Sequence, residues 1–275
     1  MASYFANCNF AEAEVVIIGI PLDRTSSFIP GTRFGPEIGR LGTANIETFS
    51  PYQKRDLSQC RIYDAGDLFL TYETAEAPFE LIKSTTKKTY QEKKVQLAVG
   101  GEHTITPVII SELIKIYPDL CVVQFDAHAD LRDEFLGEPR CHATAMRRVL
   151  DHLPRHRLFQ LGIRSFVLPE EMTLPNMFPF EILNPSPEIR KKIAHRPVYI
   201  TLDIDVLDPS VMPDVQTPQP GGCSYRELAQ ALASFAGLRI IGADIVEYCP
   251  RSNALPATAP IVAELIRELI LLLSQ

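Results

Sequence analysis

The feature that most constrains the fold is a series of short apolar runs that alternate with longer amphipathic segments. Seven runs are rich in β-branched residues and nearly continuous in apolar character, which is typical of strands buried on both faces. These runs cover 15–20, 61–64, 95–99, 120–126, 157–163, 198–203 and 239–246. Because strands that alternate with helices are joined by crossover connections, the order predicts one mostly parallel sheet with helices on both faces.

The segments between the apolar runs carry helix signals. Helices are expected at 75–94, 107–116, 224–235 and 261–273. For the second, Thr106 is the predicted N-cap and Pro107 lies in the first turn. For the third, Ser224 and Glu227 stand at capping-box spacing. No linker, repeat or low-complexity segment interrupts this order, so residues 1–275 are predicted to form a single domain.

Composition excludes some classes of function. The net charge of −7 and the pI near 5.4 argue against a nucleic-acid partner and are compatible with a cationic substrate. No apolar run approaches the roughly 20 residues that span a bilayer, so no membrane segment is expected. The N-terminus lacks a basic stretch followed by an apolar one, which predicts a cytoplasmic protein. The six cysteines form no CxxC pair and are expected to be reduced.

Ionisable residues follow four of the predicted strands. In a parallel sheet, ligands bind beyond the carboxyl ends of the strands. "GGEHT" follows one strand, "DAHAD" the next, "DID" a third and "E" a fourth. The candidate residues in these stretches are His103, Asp126, His128, Asp130, Asp203, Asp205 and Glu247.

The alternating spacing in "DAHAD" and "DID" predicts a cluster. Side chains at i, i+2 and i+4 of an extended segment point to one side, so neighbouring strand ends would bring the acids together. Four crowded carboxylates require cations, and two divalent ions would balance them. Oxygen-rich ligands with two imidazoles and no thiolate favour Mn²⁺, with Fe²⁺, Co²⁺, Ni²⁺ and Zn²⁺ left open. Each motif alone would more often be a cap or turn, and their joint occurrence carries the metal hypothesis. Three histidines outside these motifs are predicted to lie on the surface: His152, His156 and His195.

Together these motifs resemble the ureohydrolase family, which includes arginases and agmatinases and splits a guanidino group into urea and an amine. The resemblance covers nearly the whole chain. It rests on "GTRFGPEIGR" (31–40), "DAGD" (64–67), "GGEHT" (100–104), "DAHADLRDE" (126–134), "LDIDVLDPS" (202–210), "TPQPGG" (217–222) and "DIVEYCP" (244–250). The family fold is a three-layer α/β/α sandwich with a mostly parallel central sheet, in agreement with the strand pattern. Members are usually trimers or hexamers, so the resemblance implies a homo-oligomer.

The resemblance also implies a ligand set for two Mn²⁺ ions per chain. One ion would be bound by His103, Asp126, Asp130 and Asp203. The other would be bound by His128, Asp126, Asp203 and Asp205, so that Asp126 and Asp203 bridge the pair.

Three residues are candidates for catalysis. Asp130 would orient the attacking nucleophile, and Glu247 would pair with the substrate guanidinium. His142, in "RCHATAMRR", would carry a proton to the leaving amine. The alternatives left open are a helix cap or surface position for His142 and an ordinary strand-end carboxylate for Glu247.

The loop 131–141 bears on the substrate. It holds no Ser, Thr or Asn and carries Asp133, Glu134 and Glu138, which would favour a cationic tail and hence agmatine, cleaved to putrescine and urea. Arg132 and Arg140 could instead clamp a carboxylate. Other substrates of the family, namely arginine, guanidinobutyrate, aminopropylagmatine and formiminoglutamate, remain alternatives, as does a catalytically silent binding protein.

Several further positions have less defined expectations. Arg33 and Arg164 are expected to be loop braces or subunit contacts. Glu102 stands where the family usually has Asp, and little effect is expected because it lies outside the ligand set. The loop "DVQTP" (214–218) departs from the family pattern beside the expected pocket. Cys141, Cys223 and Cys249 lie beside motifs and are expected to fill space.

Overall fold

The computed structural model describes residues 3–251 and 256–274, and its strands closely follow the apolar runs. The strands are Val15–Ile20 (β1), Phe49–Ser50 (β2), Arg55–Asp56 (β3), Ile62–Asp67 (β4), Val95–Gly100 (β5), Cys121–Phe125 (β6), Leu158–Leu161 (β7), Met177–Phe178 (β8), Val198–Asp203 (β9) and Ile240–Val246 (β10). All seven predicted strands are present, and β1 and β9 have the predicted bounds. The short strands β2, β3 and β8 were not predicted, because two residues are too few to show a pattern.

The helices lie between these strands in the chain, except for the last helix, which follows β10. They are Gly35–Gly42 (α1), Ala77–Gln91 (α2), Ile105–Ile116 (α3), Ala145–Val149 (α4), Ser186–Ile193 (α5), Tyr225–Ala233 (α6) and Ala259–Leu273 (α7). The four predicted helices correspond to α2, α3, α6 and α7. The capping box of α6 is confirmed, since Ser224 Oγ accepts from Glu227 N at 3.3 Å and Glu227 Oε2 accepts from Ser224 N at 2.8 Å.

The central sheet has eight strands in the order β4-β1-β5-β10-β9-β6-β7-β8. Every neighbouring pair is parallel. Successive residues of β1 face opposite sides, so Val15 and Ile17 belong to the core that contains residues of α5, α6 and α7, whereas Val16 and Ile18 belong to the core that contains residues of α2, α3 and α4. Ile38 of α1 joins the first of these cores. The predicted three-layer α/β/α sandwich is therefore confirmed.

Helices α3 and α7 test the expectations for a cap and for core packing. α3 begins at Ile105, two residues before the predicted start, and Thr106 is not its N-cap. Because α3 has already begun at Ile105, no cap is needed at Thr106. The hydroxyl of Thr106 instead donates to buried Asp244 at 2.8 Å. α7 is buried along most of its length and packs against α1, as expected for core packing.

Among the helices of the described residues, none is long and apolar enough to cross a membrane.

The strand order determines where the ionisable loops meet. β5, β10, β9 and β6 are consecutive neighbours at the centre of the sheet. Because all four run in the same direction, their carboxyl ends lie along one edge. The loops that carry His103, Glu247, Asp205 and Asp126 therefore leave the sheet side by side, although β5 ends at Gly100 and β10 begins only at Ile240.

Candidate active site

The first group of ionisable side chains surrounds His103, which is fully buried. Its Nδ1 lies 3.1 Å from Asp130 Oδ2, 3.2 Å from Asp126 Oδ2 and 3.4 Å from Asp203 Oδ2. One ligand atom each from His103, Asp126 and Asp203 lies within 4.8 Å of the others, a spacing suited to a metal ion. Four of the predicted metal ligands are thus in one cluster.

The second group shares Asp126 with the first. His128 Nδ1 lies 2.8 Å from Asp205 Oδ2 and 3.7 Å from Asp126 Oδ1. Ligand atoms of Asp126, His128 and Asp205 also lie within 4.8 Å of one another. The structure therefore brings all six predicted ligands together, in two overlapping groups that suit a pair of ions.

Of these ligands only Asp203, the last residue of β9, belongs to an extended strand, which corrects the expectation from the alternating spacing. β6 ends at Phe125, and Asp130 has a left-handed backbone with φ 53°. Asp203 and Asp205 flank a tight turn in which Asp203 Oδ1 accepts from Asp205 N at 2.9 Å. The alternating spacing of the ionisable residues identified the right side chains, but for a partly wrong reason. Strand pleating was expected to bring them to one side, whereas turns in the loops direct most of them inward.

The hydrogen bonds of His103 indicate which ring nitrogen could bind a metal. His103 Nε2 lies 2.9 Å from Thr201 Oγ1, which donates its hydrogen to Asp244 Oδ1 at 2.6 Å. Thr201 therefore accepts from Nε2–H, so that in the neutral imidazole, the form that binds a metal, Nδ1 carries the lone pair. Nδ1 is buried and forms no hydrogen bond with any described residue. A lone pair directed at three carboxylates fits a cation between them.

Asp244 was missed as a functional candidate. It is fully buried on β10 and accepts hydrogen bonds from Thr201, from Thr106 at 2.8 Å and from Tyr199 Oη at 2.9 Å. Burial raises the pKa of Asp244, although the charge of His103 and the hydrogen bonds from these three donors act to lower it. An acidic residue in the middle of an otherwise apolar strand was the available signal, since a carboxylate is almost never fully buried unless it has partners.

The charges of the cluster perturb one another strongly. Burial and then the charges of Asp205 and Asp130 raise the pKa of Asp126 to about 7. Burial opposes protonation of His128, but the charge and hydrogen bond of Asp205 prevail and raise its pKa to about 9. Burial and neighbouring carboxylates likewise raise the pKa of Asp203. Divalent cations would relieve this repulsion and favour ionised carboxylates with neutral imidazoles, so the donor set fits a metal pair.

Glu247 lies beside the cluster in a pocket of about 200 Å³. Its Oε1 accepts from His103 N at 2.6 Å, whereas its buried Oε2 has no hydrogen-bond partner among the described residues. Burial raises its pKa, and the hydrogen bond from His103 N opposes that effect. The backbone of Glu247 is left-handed, with φ 67°, which is uncommon for a residue other than glycine. An unpartnered buried carboxylate oxygen in a pocket suits a cationic ligand.

His142 lines the same pocket and is 9% exposed, so it is not a surface residue. Its Nδ1 lies 3.2 Å from Thr25 Oγ1, and its Nε2 lies 3.2 Å from Ser27 Oγ. Phe135 contacts the imidazole edge to face, with ring centroids 6.0 Å apart. Burial lowers the pKa of His142. The three remaining histidines, His152, His156 and His195, are exposed as predicted.

Two arginines that could clamp a carboxylate lie in different places. Arg132 lines the pocket and stacks on Phe135, with its guanidinium carbon 5.0 Å from the ring centroid. Arg140 pairs with Glu76 through both terminal nitrogens and does not line the pocket. Only Arg132 of the two can therefore meet a substrate there.

The acidic residues of the loop 131–141 also lie outside the pocket wall. Asp133 accepts from Arg147 at 2.8 Å, and Glu138 accepts from Arg140 N at 2.9 Å. Neither they nor Glu134 are among the described residues that line the pocket. The expected attraction of a cationic tail by these acids therefore has no support in the geometry.

Arg164 is a loop brace, one of the two alternatives expected for it. Its guanidinium donates to the carbonyls of Asp205 and Gln219, each at 2.8 Å, and of Val206 at 3.2 Å. It thereby ties the turn that carries Asp205 to the loop that follows Thr217. Arg33 is more exposed and lies 3.4 Å from Asp23.

All six cysteines lie in the described part of the chain as free thiols, as predicted.

Comparisons with known proteins agree with this geometry. The sequence model of the arginase family matches residues 13–272. The agmatinase of Bacillus cereus is 37% identical over 270 residues, which cover 96% of this chain and 93% of that protein. The human mitochondrial guanidino acid hydrolase is 30% identical over 94% of this chain and 77% of its own length.

A solved structure extends the similarity to the fold. The crystal structure of a putative agmatinase from Clostridium difficile superposes with a TM-score of 0.91 at 33% identity, covering 97% of this chain and 99% of that one. The ureohydrolase resemblance of the motifs is therefore confirmed. The chain belongs to the arginase family.

Proposed function

We propose that this chain is a binuclear manganese hydrolase that cleaves a guanidino group, with agmatine as its substrate. One water molecule would be added and the bond from the guanidino carbon to the chain nitrogen broken, which yields urea and putrescine. The observation that carries the proposal is the convergence of six ligand-type side chains next to a pocket that holds the unpartnered oxygen of Glu247.

The metal assignment rests on the two overlapping groups. His103, Asp126, Asp130 and Asp203 would hold one ion, and His128, Asp126, Asp203 and Asp205 the other. Oxygen donors outnumber nitrogen donors and no thiol takes part, which favours Mn²⁺. When bound, the two ions would lower the pKa of a water molecule and so supply a strong nucleophile at neutral pH.

The remaining residues orient and protonate the substrate. Glu247 would hold the guanidinium with Oε2, because its Oε1 is already occupied by His103 N. Asp130 lies in the pocket wall, where it would orient the nucleophile by accepting a hydrogen bond. His142 lies in the same wall and would deliver the proton that the leaving amine needs.

Agmatine is favoured over guanidino acids by the similarity to agmatinases along nearly the whole chain. A specific observation supports a second candidate: Arg132 places a cation in the pocket, where it could bind the carboxylate of 4-guanidinobutyrate. The human relative is also a guanidino acid hydrolase. Arg132 is exposed, however, so solvent and salt screen its charge and its repulsion of an ammonium tail is weak.

Urea release with added Mn²⁺ tests both candidates. We expect kcat/KM to be highest for agmatine, compared with arginine and 4-guanidinobutyrate. Arg132→Gln should leave the agmatine value nearly unchanged, whereas it would sharply reduce turnover of a guanidino acid that depends on that cation. Arg239→Gln is the matched control, because Arg239 is also exposed and also stacks on an aromatic ring, that of Tyr117.

Two outcomes would contradict the proposal at different levels. A higher kcat/KM for 4-guanidinobutyrate that falls in Arg132→Gln but not in Arg239→Gln would replace agmatine by a guanidino acid. Absence of urea from every guanidino compound, in protein that has bound Mn²⁺, would refute the hydrolase and favour a catalytically silent binding protein.

A further inference from the structure

A hydrogen-bonded series connects buried Glu102 to His142 through the half-buried Thr25. Glu102 is fully buried, and its Oε2 accepts from Arg24 N at 2.9 Å, from Thr25 N at 2.7 Å and from Thr25 Oγ1 at 3.0 Å. Thr25 Oγ1 in turn lies 3.2 Å from His142 Nδ1 and accepts from His142 N at 3.2 Å. Glu102, for which little effect was expected, thus anchors a residue that contacts His142.

The donors in this series determine the direction of each hydrogen bond. Two backbone N–H groups point at Glu102 Oε2, so that oxygen is an acceptor and the Thr25 hydroxyl must donate to it. The single hydrogen of Thr25 is then used, and its oxygen can only accept from His142. Nδ1 of His142 therefore carries a hydrogen, and Nε2 is the nitrogen next to Ser27 in the pocket wall.

We propose that Thr25, held by Glu102, is a positioning residue that fixes the tautomer of His142 and leaves Nε2 to exchange the proton with the pocket. This inference rests on the proposed hydrolysis, in which a water proton taken up at Nε2 passes to the amine nitrogen. As the C–N bond breaks, its electron pair stays on that nitrogen and His142 returns to the neutral form. Nδ1–H remains with Thr25 throughout.

The surroundings of His142 make this orientation decisive. Phe135 packs at right angles to the imidazole, which restricts its rotation. Burial lowers the pKa of His142, so the neutral ring, in which the tautomer matters, predominates at neutral pH. The charges that face it are Asp130 and Glu102, which favour the protonated form, and His128 and His103, which oppose it.

Kinetics of Thr25 variants test the positioning role. Thr25→Val keeps the shape but removes the acceptor, and we expect kcat to fall ~10–100-fold, part of the ~10²–10⁴-fold that a positioned acid contributes, with KM little changed. Thr25→Ser restores the hydroxyl and should restore kcat. Thr89→Val is the matched control: Thr89 is buried and donates to Thr85 O at 3.0 Å, on a helix that contributes no residue to the pocket.

A second measurement does not depend on turnover. ¹⁵N spectra of histidine-labelled protein loaded with diamagnetic Zn²⁺, with His142 assigned by comparison with His142→Ala, report which nitrogen carries the hydrogen. We expect a protonated Nδ1 and an unprotonated Nε2 in the wild type and in Thr25→Ser, and loss of this pattern in Thr25→Val.

The two measurements separate the inference from the proposed function. A wild-type spectrum with hydrogen on Nε2 overturns the inference even if Thr25→Val fails to fold. Wild-type kcat in Thr25→Val, or an equal loss in Thr89→Val, also overturns it. If no guanidino compound is hydrolysed, the proposed function fails, while the spectrum still decides whether Thr25 fixes the tautomer.

Discussion

Thr201→Val should weaken metal binding although Thr201 is not one of the proposed ligands. Its hydroxyl lies between His103 Nε2, at 2.9 Å, and Asp244 Oδ1, at 2.6 Å. Valine has nearly the same shape but can neither accept from His103 nor donate to Asp244. The ring of His103 would lose the contact that holds Nδ1 toward the carboxylates.

The size of the expected loss of metal affinity follows from the polar groups that Thr201→Val leaves without partners. The Nε2–H of His103 is fully buried, and a buried donor without an acceptor costs about 1–3 kcal/mol. Loss of a hydrogen-bond partner behind a metal ligand typically lowers affinity ~10–100-fold. A factor of ten corresponds to about 1.4 kcal/mol, so the two magnitudes agree.

Competition with a chromogenic chelator measures the Mn²⁺ affinity directly. Thr106→Val is the matched control, because Thr106 is equally buried and its hydroxyl donates to the same Asp244 at 2.8 Å, while its contact with His103 runs through the backbone, from Thr106 N to His103 O at 3.1 Å, which the substitution leaves in place. We expect Thr106→Val to lose about 1 kcal/mol of unfolding free energy in urea, with metal affinity close to that of the wild type.

The two variants together distinguish an effect on the metal site from an effect on stability. Equal losses of Mn²⁺ affinity in Thr201→Val and Thr106→Val would mean that the hydrogen bonds to Asp244, and not the contact between Thr201 and His103, support the metal site. Wild-type affinity in Thr201→Val would refute the role of Thr201, because His103 would then be held, or would bind, in another way.

Three further predictions concern the metal pair and the proton carrier. Elemental analysis of Mn²⁺-loaded protein should give about two ions per chain, with a clear loss in Asp205→Ala; full activity at one ion per chain would contradict this. His142→Ala should lower kcat by ~10²–10⁴-fold with unchanged metal content, and a lost ion would identify it as a ligand instead. Removal of metal by a chelator should lower the thermal unfolding midpoint, because Asp126, Asp203 and Asp205 then repel one another, and added Mn²⁺ should restore it; an unchanged midpoint would argue against a bound pair.

Much of the fold could be predicted because its determinants are local. Continuous apolar runs such as Val15–Ile20 and Val198–Asp203 indicate strands buried on both faces, and their alternation with helices requires parallel crossovers. The residue types of the cluster were equally visible, since carboxylates and imidazoles that occur together at several strand ends indicate a metal site. The start of α3 was misplaced because Thr106 looked like a cap, and only its contact with Asp244 shows its use.

The amino-acid sequence by itself determined which side chains are available and which strand ends carry them. Only the tertiary structure decided that β5, β10, β9 and β6 are neighbours, because pairing between distant strands is not encoded in any local pattern. It also decided that Asp130 and Glu247 adopt left-handed backbones, which the surrounding contacts must impose on residues that do not favour them. The polar partners of single side chains, such as Thr25 for His142 and Glu76 for Arg140, are likewise set by the tertiary structure, since each pair joins residues more than 60 positions apart.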